Sequence, residues 1–168
     1  MRSTNCSLHE QQFSPGHCQC AAKDLRRPGV TAARTRNQEL EHAELAAATL
    51  LAEMVRADSD AKEIDRRAAI DGLRDLFAIP AQKAETLFEH VSHFDRRPTS
   101  YHPFVKILNK VFSADQKRRL IEHMWRVAHA DEEVHMYEDH LVRKIADLLY
   151  VPHSLFIATK HRAKNHPR

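Results

Sequence analysis

From about residue 36 to residue 160, apolar side chains recur at steps of three and four, and no window alternates apolar with polar among β-branched residues. One face of an α-helix repeats at that spacing, whereas a half-buried strand repeats at every second residue. A chain patterned in this way folds as helices packed on helices, and no sheet is expected. At 168 residues, 42% hydrophobic and 29% charged, it suits one globular domain that needs neither a disulfide nor a metal merely to fold. Any metal would serve function.

The stripes locate about seven helices. Leu40, Ala47, Leu51, Met54 and Val55 share one face of a first helix, with Thr35 or Asn37 as cap. A second runs over about 61–77 and stops before Pro80. Residues 81–94 carry Ala84, Leu87, Phe88 and Val91 at helical spacing. Residues 101–112 carry Tyr101, Phe104, Val105, Leu108 and Phe112, after a loop at Arg97-Pro98-Thr99-Ser100. Ser113 and Gln116 form a capping box, in which each side chain satisfies a free amide of the other. That box opens a helix with Leu120, Met124, Val127 and Ala128 inward and Trp125 at the core edge. Residues 134–150 set Val134, Tyr137, Leu141, Ile145 and Leu148 on one face, and Pro152 or Ser154 starts a last helix. Residues 1–35 lack apolar periodicity and read as a disordered leader, 36–160 as the helical domain, and 161–168 as a basic tail.

Composition excludes several function classes. The three glycines, Gly16, Gly29 and Gly72, are too few and too scattered for a phosphate-cradling loop or a nucleophile elbow. All three cysteines, Cys6, Cys18 and Cys20, lie in the leader, so the body offers no thiol nucleophile and no Cys-based zinc site. With His9 and His17 they could collect a soft metal, although incidental thiols are the simpler reading. The longest strongly apolar stretch, Leu45 to Ala52, is too short to span a bilayer, and the N-terminus has no signal-peptide core, which points to the cytoplasm. Charge divides into a basic leader, an acidic body of 16 basic and 21 acidic side chains over 38–159, and four basic residues with no acid over 160–168. The basic ends could touch anionic lipid or nucleic acid through charge alone, but no stacking platform or helix-turn-helix pattern supports specific nucleic-acid binding.

The body repeats itself. A shift of 73 residues superposes Ala57-Asp58-Ser59-Asp60-Ala61 on Ala130-Asp131-Glu132-Glu133-Val134, and Asp65 on Glu138. Upstream, Leu51, Met54 and Val55 fall on Met124, Val127 and Ala128. After a one-residue slip, Leu76-Phe77-Ala78-Ile79-Pro80 falls on Leu148-Leu149-Tyr150-Val151-Pro152. Each copy is helix, acidic turn, helix and proline-marked stop, so two pseudo-symmetric helical hairpins are expected. The doubled A-D-x-x-[AV]-x-x-x-[DE] turn, the Ser113-Ala114-Asp115-Gln116 start and the Leu148-to-Pro152 stop resemble the TerB-like (tellurite resistance protein B) family over about 36–160. That resemblance implies a seven-helix fold, an acidic metal-binding centre and a role in bacterial tellurite or chemical stress response, with members at the inner face of the membrane. The chain departs from the family in having Ser59 and Glu132 where glycine usually follows the turn aspartate, and Asp65 where glutamate is typical. His102-Pro103-Phe104 is not the His-Pro-Asp of a J-domain, so no co-chaperone activity carries over.

A turn aspartate and a carboxylate seven residues on can point back toward one another across a helix start. Two such pairs would gather Asp58, Asp65, Asp131 and Glu138, whose hard oxygens suit Ca²⁺, Mg²⁺ or Mn²⁺ ahead of Zn²⁺. The site is not an EF-hand, because Ala69 and Val142 stand where the bidentate glutamate belongs. The same acids could instead simply cap helices and complement their dipoles. His129, Asp131, His135 and Asp139 leave a zinc site open, and Glu39-x-x-His42 and Glu132-x-x-His135 echo di-iron bundles without convincing partner glutamates. The expectation is a non-enzymatic, metal-responsive or protein-interaction module with an unidentified protein partner and no small-molecule substrate. The rivals are a metal-dependent enzyme using Glu132, His135 and Glu138, and a membrane or nucleic-acid adaptor using the tail from residue 160.

Overall fold

The computed structural model describes residues 28–57, 63–93, 97–130 and 134–165, with side chains from residue 34 onward. Among these residues there are seven helices and no strand: α1 (Pro28–Ala57), α2 (Glu63–Phe77), α3 (Ala81–Ser92), α4 (His102–Val111), α5 (Ala114–Ala128), α6 (Met136–Leu148) and α7 (His153–Asn165). The all-α expectation holds. Helix α1 packs against α2, α3, α4, α5 and α6, while α5 packs against α1, α2, α6 and α7. The core lies between those two helices, where Leu50, Leu51, Met54, Leu73, Leu108, Leu120, Ile121, Met124 and Ile145 are fully buried.

Local chemistry sets the helix ends. Ser113 Oγ accepts the Gln116 amide at 3.3 Å and Gln116 Oε1 accepts the Ser113 amide at 2.9 Å, the reciprocal box expected from the sequence. Helices α2 and α6 are each followed by a non-glycine residue in the left-handed region, Ala78 at φ 52° and Tyr150 at φ 58°. After α6, the Val151 amide reaches back to the Ala146 carbonyl at 3.0 Å and the Tyr150 amide to Asp147 at 3.1 Å, satisfying carbonyls the helix end would leave free. Pro80 and Pro152 then start α3 and α7, their carbonyls accepting the amides of Ala84 and Phe156 at 3.1 and 3.0 Å.

Four details differ from the periodicity reading. Helix α1 begins at Pro28, inside the stretch read as leader, because proline is tolerated at a first helical position whose amide is free anyway, so Thr35 and Asn37, expected as its cap, lie within the helix instead. Residues 1–27 lie outside the described residues. Leu40 is 43% exposed, since α1 over residues 34–42 has little packed on it beyond the Glu39–Lys110 ion pair at 2.7 Å. Tyr137 is 73% exposed, because the inward line of α6 runs through Glu138, Leu141, Val142 and Ile145, about 100° away around the helix. Trp125, placed at the core edge by its stripe, is wholly buried against Phe156 with ring centroids 5.5 Å apart.

Candidate functional site

Asp65 and Glu138 hold the same position, the third residue of their helices, and each is only 3% exposed. Carboxylates at a helix start face the free amides and the positive end of the helix dipole, which favours their charged form. Glu138 Oε2 accepts the His135 amide at 2.9 Å and so caps α6. The other two expected ligands, Asp58 and Asp131, lie outside the described residues, as do Glu132 and Glu133. Among the described residues, no three of His, Cys, Asp and Glu sit together as an ion would require. Of the histidine-based alternative, Asp131 lies outside the described residues, and Asp139 pairs with Lys160 and Arg143, where the Lys160 ammonium, with burial working against it, holds that carboxyl below its usual range. His129 stacks on Trp125 with centroids 5.9 Å apart, and burial followed by the nearby Lys160 and Lys164 charges lowers its pKa.

The residues flanking the two acidic segments line one cleft. Ala57, last in α1, and His135, just before α6, both line a cavity of about 600 Å³ together with Glu53, Arg97, Tyr101, Met136, Tyr137, His140 and Lys144. Glu53 is buried and ion-paired to Arg56 at 2.6 Å, and the Tyr101 hydroxyl reaches it at 3.5 Å. Burial first, then the Glu53 charge, raises the Tyr101 pKa. Arg56 also donates to the Val91 and Ser92 carbonyls at 3.0 and 2.8 Å, and Arg97 donates to the Arg56 carbonyl, so this wall ties α1 to the end of α3 and the entry to α4. Lys144 sits over the Tyr101 ring at 5.5 Å. The sequence reading missed this wall. Its one signal was a carboxylate, Glu53, inside the apolar run of Leu50, Leu51 and Met54.

The family model for tellurite resistance protein TerB matches residues 44–161, about 70% of the chain. The chain belongs to the TerB family. The matched span of this TerB chain begins in α1, ends in α7, and contains both acidic turns and the cleft. Comparison with curated proteins and with solved structures finds no match.

Away from the cleft, the TerB domain is held by a polar seam along α5. Glu122, 6% exposed, accepts Arg118, Arg126 and Arg162 at 2.9, 2.7 and 3.2 Å, joining α5 to α7. His123, 4% exposed, joins α5 to α2 through Asp75 at 2.8 Å from Nε2. Arg126 lies 3.3 Å from Nδ1 and can only donate, so Nδ1 accepts and Nε2 carries the proton given to Asp75. Burial lowers the His123 pKa in spite of Asp75. Gly72 of α2 lies against this imidazole.

Proposed function

We propose that this TerB-family chain is a non-enzymatic module of the tellurite and chemical stress response, in which the acidic turns take a divalent cation and a neighbouring surface meets a protein partner. The observation that carries the reading is the matched burial of Asp65 and Glu138, each at the third residue of the helix after an acidic turn, within the span matching the family. A buried carboxylate keeps its charge only where hydrogen bonds, a paired cation or a bound metal ion compensate its loss of water. Asp58, Asp65, Asp131 and Glu138 would supply the oxygens, a donor set that suits Ca²⁺, Mg²⁺ or Mn²⁺. A divalent cation there would offset two of the four negative charges and link the segments that precede α2 and α6, so its binding would bear on the angle between those helices. Glu138 would keep its capping bond to His135 in this arrangement. No helix among the described residues is long and apolar enough to cross a membrane, in keeping with action in the cytoplasm or at the inner membrane face.

Elemental analysis of the purified chain beside its Asp131→Ala/Glu138→Ala variant tests the reading. Stoichiometric Ca, Mg or Mn in the wild type, lost in the variant, is the expected result. Absence of metal from both, with no uptake on titration, would leave the acids as helix caps alone.

A further inference from the structure

The cleft beside the turns combines cationic and apolar groups in a way that the capping and packing roles do not use. Its buried carboxylate, Glu53, is neutralised by Arg56 at 2.6 Å. Lys144 is exposed, with its ammonium over the Tyr101 ring, and among the described residues it is in no ion pair. Arg97 spends a donor on the Arg56 carbonyl and likewise meets no carboxylate among the described residues. At the rim, Met136 and Tyr137 are 78% and 73% exposed. Adjacent large apolar side chains this open gain stability when a partner removes them from water. Two cations are too few to track a phosphate backbone, and a small anion at Lys144 would leave the rim uncovered. An extended segment with acidic side chains and an apolar anchor satisfies both features.

We propose that this cleft binds an acidic segment of a protein partner, its carboxylates at Lys144 and Arg97 and an apolar side chain on Met136 and Tyr137. The inference rests on the protein-interaction half of the reading above. It also ties the cleft to the acidic segments: Asp58, Asp60 and residues 131–133 add acidic charge in the sequence next to Ala57 and His135, so a divalent cation that offsets part of that charge would strengthen capture of an acidic segment.

The test is fluorescence anisotropy of a labelled peptide in which glutamates flank a leucine and a phenylalanine, with a lysine-flanked counterpart as control. Both are titrated with the full chain, Lys144→Glu and Tyr137→Ala, in EDTA and in millimolar Ca²⁺, with helix content checked by circular dichroism. Saturable binding of the glutamate peptide alone, weakened about tenfold or more by Lys144→Glu and also reduced by Tyr137→Ala, is the expected result. Equal affinity in EDTA and Ca²⁺ would support the cleft while removing the cation link, which separates the two readings. No saturable binding in either buffer, equal binding of the lysine peptide, or affinity unchanged in both variants would overturn the proposal.

Discussion

Glu138 has two separable properties, an acceptor oxygen that caps α6 and a charge that a cation could use. Glu138→Ala loses both, whereas Glu138→Gln retains an oxygen able to accept the His135 amide. Urea unfolding in EDTA is expected to show Glu138→Ala about 1 kcal/mol less stable and Glu138→Gln within about 0.5 kcal/mol of wild type. Equal losses would mean that the charge, and not the cap, holds the helix start. Gly72 makes a second residue-scale case. A Cβ there would stand 3.1 Å from His123 Cβ, and the imidazole is pinned by Asp75 and Arg126, so it has little room to withdraw. Overpacking of about 1–3 kcal/mol then outweighs the helical gain of alanine, about 0.5–1 kcal/mol, and Gly72→Ala is expected to lower the urea midpoint. The glutamine at the end of the Ser113 box was legible, because reciprocal capping is a local pattern. The His123–Asp75 pair was not, because its members are 48 residues apart and neither breaks a local rule.

Two helix stops share one backbone feature. Ala78 and Tyr150, which the repeat aligns, both take the left-handed conformation after their helices, although a Cβ is strained there by roughly 1–2 kcal/mol. Replacing Ala78 with glycine relieves that strain and loosens the unfolded chain, so thermal unfolding is expected to show a net gain of about 0.5–1 kcal/mol. A loss would show that Ala78 packs in a way glycine cannot replace. Seven helices could be read from spacing, and most side chains that the stripes set inward are buried, since burial of one stripe is what the spacing encodes; the core residues of α2 and α7, such as Leu73 and Phe156, were not picked out, because those helices show no such clear stripe. Spacing failed at the ends: Leu40 belongs to the apolar stripe of α1 but lies where α1 outruns its neighbours, and Tyr137 lost the inward position to Glu138. A periodicity rule assigns a carboxylate to solvent, so it cannot foresee one that turns inward to cap its own helix.

At the scale of the molecule, the polar seam between α2, α5 and α7 sets the response to acid. Burial depresses the His123 pKa below its ordinary value near 6.5, so the folded state keeps a neutral imidazole where the unfolded chain takes up a proton. That contribution is complete above about pH 6.5 and declines as pH falls below it. Asp75, held down by Arg119 and His123 against the opposing effect of burial, and Asp139, held down by Lys160, act in the same direction, their contributions declining below about pH 4. Stability should therefore fall in two stages on acidification, the upper one shared with His129, whose pKa burial also lowers, and His123→Gln should shrink that upper stage without abolishing it in urea titrations from pH 7.5 to 5; an unchanged profile would contradict the assignment. The cleft is also a property of the whole molecule. Glu53, Tyr101 and Lys144 come from three helices or their entries, and nothing local to any of them announces the other two. In the proposed function, one cation joins the two acidic segments. An amide-resolved NMR titration of the full chain with Ca²⁺, followed at Ala57, Asp65, His135 and Glu138, tests it most directly. Amides flanking both acidic segments should shift together with one dissociation constant, and Asp131→Ala should abolish the shifts at both; shifts at neither, or at one alone, would contradict a shared cation.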